Sequence, residues 1–248
     1  MSTVATEKDN EVNPFEGITV GQLVAERPER ARILENYGLD YCCGGKKLLE
    51  QACEEKGLDF PLLSREILAY DATHVAQGTD WTRAPLAELA DHISSVHHAY
   101  LQLELPRLEY LADRVFNAHG QKYSHLAELR EVVHHLSNEL LAHTDKEEKV
   151  LFPWIKKLEA ASSASELEGA SVSNPIAVME AEHAEAGADL EKIRKLTNSY
   201  IPPSDTCNTH RVYLSSLQEL EQDLHIHIHK ENSILFPRAI IREKELRN

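Results

Sequence analysis

Two eleven-residue segments, 84 positions apart, constrain this chain more than any other feature. Residues 143–153 read His-Thr-Asp-Lys-Glu-Glu-Lys-Val-Leu-Phe-Pro, and residues 227–237 read His-Ile-His-Lys-Glu-Asn-Ser-Ile-Leu-Phe-Pro. His, Lys, Glu, Leu, Phe and Pro recur in register, six positions of eleven. Self-similarity at a fixed offset marks a duplicated structural unit. In each copy the His and the Glu stand four apart, so on a helix both project from one face, one turn from each other. His143 with Glu147, and His227 with Glu231, then supply two imidazoles and two carboxylates. A carboxylate held in a core is too unfavourable unless it is paired or bound to metal. The Leu-Phe that follows should bury the end of each helix, with Pro153 and Pro237 as its punctuation.

Such helices need partners. Apolar periodicity predicts four long ones, over 86–118, 124–158, 175–197 and 208–242. The first carries Leu86, Leu89, Ile93, Val96, Tyr100 and Leu103 at three–four spacing, and Pro106 predicts a kink in it. Asn174 is placed to cap the third. The connectors, 162–173 and Ile201-Pro202-Pro203-Ser204, are short beside the helices, which favours antiparallel neighbours and a four-helix bundle.

A duplicated helix pair should place matching ligands on the first and third helices. The third has one histidine, His183. His227 lies 44 residues after it, and His143 lies 45 residues after His98, so the repeat favours His98. The neighbouring His97 sits closer to the stripe of Ile93, Val96 and Tyr100, and periodicity alone leaves the two open. The candidate ligand set is His98, His143, Glu147, His183, His227 and Glu231. Nitrogen ligands with carboxylates able to bridge suit iron or manganese better than a closed structural zinc site. A dinuclear centre with an open position could bind small diatomic molecules. Glu131-x-x-His134 and Glu180-x-x-His183 form a competing pattern of the ferritin-like kind, but it leaves the repeated His-x3-Glu unexplained. Glu139 and Glu182 are candidates for supporting groups or proton carriers, with solvent-facing positions as the alternative. His74, His92, His119, His125, His134, His135, His210, His225 and His229 read as surface residues or helix-end partners.

Residues 1–17 read as a disordered tail, 18–77 as a small helical domain, 78–84 as a linker and 85–243 as the bundle. In the small domain Thr19 can cap a helix over 20–26, and further helices are expected over 29–36, 46–56 and 62–75. Between the second and third lies Asp40-Tyr41-Cys42-Cys43-Gly44-Gly45. A bridge between adjacent cysteines is strained, so the thiols read as reduced and the compartment as cytoplasmic. With Lys46 and Lys47 opening the next helix, the pair would lie at an activating helix N-terminus. Cys42 and Cys43 are therefore candidates for redox or iron transfer. Cys53 and Cys207 read as ordinary small apolar residues.

Lys plus Arg is 26 against 41 Asp plus Glu, a formal charge of −15. That argues against nonspecific nucleic-acid binding, which needs a basic surface, and less strongly against anionic membranes. No segment approaches the roughly 18–20 apolar residues of a membrane span, and the polar first ten residues have no signal-peptide core. No nucleic-acid or membrane partner is expected.

Several of these segments together resemble the hemerythrin-like four-helix fold and, more closely, the Repair of Iron Centres family of di-iron proteins. They are Tyr41-Cys42-Cys43-Gly44-Gly45, Asp91-His92-Ile93 followed by His98 and Leu105-Pro106, the run from Val178 to Gly187, and the two His-x3-Glu…Leu-Phe-Pro repeats. The match runs from about Thr19 to Arg238, and the combination is specific where each motif alone is not. All six proposed ligand positions match; Leu101 departs where relatives can carry a further His, which is not a ligand. The resemblance implies an all-α fold with a small Cys-Cys-Gly-Gly domain ahead of a hemerythrin-like bundle. It implies two iron ions, oxo- and carboxylate-bridged, with four terminal histidines and with Glu147 and Glu231 bridging. Members are implicated in restoring iron–sulfur clusters damaged by nitric oxide or peroxide, so damaged iron–sulfur proteins are the expected partners. Nitric oxide and oxygen are the expected small ligands. An iron-donating repair protein ranks ahead of a turnover enzyme such as a di-iron nitric oxide reductase. It also ranks ahead of a carrier or sensor, which has no evident need of the Cys-Cys domain.

Overall fold

The computed structural model describes residues 13–74, 79–167 and 171–248. The chain divides into two compact units, Met1–Gly78 and Thr79–Asn248. Both are helical. Among the described residues there is no strand, only one isolated antiparallel bridge between Thr19 and Leu48. No helix among them is long and apolar enough to cross a membrane.

The first unit contains α1 (Val20–Glu26), α2 (Ala31–Asn36, after a single tight turn at Pro28–Arg30), α3 (Leu49–Lys56) and α4 (Phe60–Thr73). Thr19 and Gln22 form a reciprocal cap on α1. Gly38, at φ +63°, turns the chain out of α2. Val20, Leu23, Leu34, Leu49, Cys53, Leu63 and Ile67 are buried. Arg30 is buried with them, bonded to Asp71 at 2.7 Å. The tail reading fails over 13–17: these residues form a turn, Phe15 is buried, and Asn13 donates to Ser64 at 2.8 Å. Residues 1–12 of the expected tail, and 75–78 next to the expected linker, lie outside the described residues.

The second unit is a bundle of four long helices: α5 (86–119), α6 (125–160), α7 (Ser173–Leu196) and α8 (208–247). α5 lies against α6 and α8, and α6 against α7. Arg194 of α7 pairs with Glu221 of α8 at 2.9 Å. One level of it is an apolar core of Leu101, Leu105, Leu108, Leu129, Leu136, Leu190, Leu217, Leu220 and their neighbours. The repeat also builds the helix starts. Glu159 near the end of α6 accepts the Leu86 and Ala87 N–H groups of α5, and Glu243, 84 residues later on α8, accepts the Val172 N–H ahead of α7. Asn174 is thus not the cap; a carboxylate from another helix does its work. It can do so because α8 runs past the expected end at 242.

Three of the four helices leave α-geometry once, at Ile93–His98, Glu147–Leu151 and Lys230–Leu235. Each is a π-turn, whose wider loop takes one extra residue. Ala99 N–H bonds to Ser94 O, Phe152 N–H to Glu147 O and Phe236 N–H to Glu231 O, all five residues back. Two expectations are corrected by this. Pro153 and Pro237 do not end their helices; each lies in the first turn of renewed α-helix, where a missing N–H does little harm. The stripe along α5 also shifts register at the π-turn. Val96 and Leu103 are exposed, and the buried series resumes at Leu101, Leu105 and Leu108. The α-helix itself runs on through Pro106.

Candidate metal centre

The π-turns lie past this apolar core, with Leu86, Leu89, Ile155, Leu158 and Ala239 buried further along the helices, and they gather six buried polar side chains. His98, Glu147, His227 and Glu231 form one group, and His143, Glu147, His183 and Glu231 form another. The two groups share both glutamates. His97, although buried, belongs to neither.

The geometry is that of two facing pairs. His98 Nε2 lies 3.2 Å from His227 Nε2, and His143 Nε2 lies 3.0 Å from His183 Nε2. Glu147 Oε2 is 3.3 Å from His98 Nε2 and 3.4 Å from His143 Nε2. Glu231 reaches both pairs as well, with Oε1 3.1 Å from His227 Nε2 and Oε2 3.1 Å from His183 Nε2. Two ligands at right angles on one metal, with bonds of about 2.1 Å, stand about 3 Å apart. Glu147 and Glu231 have no exposed surface, yet among the described residues neither Glu147 oxygen nor Glu231 Oε2 makes a hydrogen bond. Bare carboxylate oxygens in a closed core need a cation. The donor set and the orphaned oxygens fit a pair of bridged metal ions.

Protons stand in for such cations electrostatically. Burial pushes His143 down, but the Glu147 and Glu231 carboxylates outweigh it and hold its pKa up at about 9. Burial likewise opposes ionisation of Glu231, and the surrounding imidazoles still hold it well below the usual carboxylate range. Metal uptake at these side chains would therefore displace protons.

Behind the candidate ligands, three imidazoles are anchored through Nδ1. His98 is bonded to Glu148 at 2.9 Å, His143 to Glu182 at 2.8 Å and His183 to Asn232 at 2.9 Å. Each such bond selects the tautomer that presents Nε2 to a metal. Glu182, one of the two expected supporting groups, fills that role. Glu139 is exposed and stands beside a narrow cavity of about 20 Å³ that reaches His143 and His183. Glu148 and Asn232 were missed, although a signal existed: they hold equivalent places in the repeat, each directly after a candidate glutamate. Phe152 and Phe236, also repeat-related, stack on His98 and His183.

Beside His227 lies a second polar group. His97 stacks on the His227 ring, 5.3 Å between centroids and 4° from parallel. Its Nδ1 is bonded to Asp223 at 2.8 Å, and Lys230 Nζ bridges His97 and His92 at 2.7 and 2.9 Å. Burial lowers the Lys230 ammonium to about 8; burial and the neighbouring Lys230 lower His92 to about 4.

The remaining expectations divide. Glu131 is exposed and His134 pairs with Asp113, so the ferritin-like pattern is not assembled. Leu101 is part of the apolar core. His210 and His229 are buried rather than on the surface. Cys207 is exposed, not a packed apolar residue; its Sγ lies 3.1 Å from His119 Nε2, which lowers the thiol to about 7.

In the first unit Asp40, Cys42 and Cys43 come together. Asp40 accepts the backbone N–H groups of Cys42, Cys43 and Gly44 at 2.8–2.9 Å, which shapes the loop, and the two sulfurs are 3.7 Å apart. The expected activation by a helix N-terminus fails here. α3 starts only at Leu49, because the Gly45 and Lys47 carbonyls are engaged by Gly21 and Val20 at the start of α1. The Cys42 thiol is instead pushed up by its hydrogen bond to Cys43 and by burial.

Residues 86–239 match the hemerythrin HHE cation binding domain, and residues 17–71 match a domain of unknown function (DUF542). The iron-sulfur cluster repair protein YtfE of Cronobacter sakazakii is 37% identical over 230 residues, covering 93% of this chain and 99% of the relative. Proteins of the same name from Escherichia coli O157:H7 and Shigella boydii serotype 4 are 38% and 37% identical over 224 residues, covering 90% of this chain and 97% of each relative.

Proposed function

The chain belongs to the hemerythrin HHE cation-binding family, alongside the two-domain iron-sulfur cluster repair proteins, and from that premise we propose that it repairs damaged iron–sulfur clusters by donating iron from a two-iron centre. One observation carries the metal part: two groups of buried ligands share both Glu147 and Glu231. His98 and His227 hold one iron, and His143 and His183 the other. When bound, the iron pair supplies open coordination for small ligands and one-electron redox changes. The chain's own residues do the rest. Glu148, Glu182 and Asn232 orient imidazoles through Nδ1. Phe152 and Phe236 cover two of the rings and limit water.

The clients are iron–sulfur proteins that have lost iron, and the reducing cytoplasm is the setting in which Cys42 and Cys43 stay as thiols. Those two sulfurs, 3.7 Å apart on a loop organised by Asp40, are assigned to electron or iron transfer. A second reading, nitric oxide or oxygen binding or reduction, is favoured by the narrow cavity at His143 and His183, which has room for about one water-sized molecule. The test is to load the full chain with iron, add an apo cluster protein and measure recovered cluster activity with and without a ferrous chelator. Chelator-sensitive recovery supports donation. Nitric oxide consumption without recovery would favour the second reading.

A further inference from the structure

The repeat placed equivalent residues around both metal positions, but the two surroundings are not equal. At an offset of 84, Glu148 corresponds to Asn232 and Lys146 to Lys230. The residue ahead of the first-helix ligand, His97, corresponds to the residue ahead of the third-helix ligand, Glu182.

Around His143 and His183 both imidazoles are held from behind, His143 by Glu182 and His183 by Asn232. Lys146 is paired with Glu182, so its charge is answered by a carboxylate. Around His98 and His227 only His98 is held, by Glu148. His227 Nδ1 is buried and has no hydrogen-bond partner among the described residues. The residue that should supply one is His97, and its ring lies flat against His227 while its nitrogens serve Asp223 and Lys230. Lys230 therefore places its ammonium against two imidazoles, His92 and His97, on the side of His227.

Both differences act in the same direction. An imidazole whose Nδ1–H meets an acceptor is a better-oriented and more basic ligand, and losing such a partner costs about 10–100-fold in metal affinity. A nearby ammonium repels a metal cation, most strongly where water is excluded. We infer that the iron held by His98 and His227 is the labile one, and that it is the iron given to a client, while the iron at His143 and His183 is retained. This rests on the two-iron reading above. The transfer is ligand exchange without a change of oxidation state: bonds to the acceptor's donor atoms form as the bonds to His98, His227 and the shared carboxylates break. The freed imidazoles take protons from water.

The test uses the iron-loaded full chain and a ferrous chelator. Release should occur in two phases separated by about 10–100-fold. Crystals taken after the first phase should show anomalous iron density kept between His143 and His183 and lost between His98 and His227. His97→Glu places a carboxylate opposite Lys230, as Glu182 lies opposite Lys146, and should slow the first phase. Asn232→Leu strips the His183 anchor and should speed the second phase, which gives an independent check if the first variant folds poorly. A single phase with both densities falling together, or density lost first at His143 and His183, would overturn the inference and leave the two-iron reading standing. A chain that never takes up a second iron would overturn both.

Discussion

Two levels of the bundle solve opposite problems with the same four helices. At one level regular α-helix packs Leu101, Leu105, Leu108, Leu217 and their neighbours into an apolar core. At the next level three helices change to π-geometry, and two glutamates are buried completely among imidazoles, with Leu89, Ile155 and Leu158 buried further along the helices. The apolar level is stabilised by removing surface from water. The polar level is costly to build, and protons on its imidazoles balance the carboxylates until a metal takes their place. Stability and function are thus separated along one set of helices, and substitutions at the two levels should differ in signature.

The sharpest contrast is in the glutamates. Glu147→Leu or Glu231→Leu should weaken iron binding by more than about 100-fold, since even supporting groups are worth about 10–100-fold. The iron-free variant should also melt lower than the iron-free parent, because removing one carboxylate leaves a buried imidazolium such as His143 without its counter-charge. Iron analysis with calorimetry of the iron-free chains checks both halves. A variant that kept two irons would remove Glu147 and Glu231 from the bridging role.

At the apolar level stability should fall and iron should be spared. Leu108→Ala or Leu217→Ala should cost about 2–5 kcal/mol in denaturant unfolding while both irons still bind. A loss of iron at constant stability would show that the levels are not separable. Within the polar level, His98→Leu should remove iron from one position, whereas His97→Leu should leave two irons bound. The reverse result would mean that the apolar stripe was a better guide than the repeat.

The prolines give the finest comparison. Pro106 lies inside regular helix and is exposed, so Pro106→Ala should raise stability by about 1–3 kcal/mol. Pro153 follows a π-turn, so Pro153→Ala should change stability by less than about 1 kcal/mol. Equal gains at both sites would contradict the idea that the π-turn absorbs the missing N–H. Deletion of residues 1–80 should leave a folded, iron-binding bundle, because its apolar core is drawn from α5 to α8 with Tyr200 between the last two. Circular dichroism and iron content check this, and loss of either would contradict it.

Much of this is legible in the sequence. The helical class followed from 3.6-residue periodicity, and the six candidate ligands followed from the 84-residue repeat. Both are properties of the linear chain: a helix converts i, i+4 spacing into a shared face, and a duplication carries its ligand spacing with it. The repeat and the apolar stripe part at His98: a π-turn displaces the stripe by one residue but leaves the interval between duplicated positions almost unchanged, and His98 rather than His97 joins the buried groups. The π-turns themselves were not legible. They depend on which carbonyl each N–H finds, and that depends on how buried ligands from four helices must converge. The supporting groups were legible only in part. Glu182 is a candidate from its place before His183, and the repeat relates Glu148 to Asn232, but only the approach of a second helix gives each one an imidazole to hold. The Cys-Cys loop makes the point in reverse: its sequence suggested an activated thiol at a helix start, and the packing of residues 45–47 against α1 delayed that helix to Leu49. Local spacing determines which side chains can share a face, while pairing across helices determines what each of them meets there.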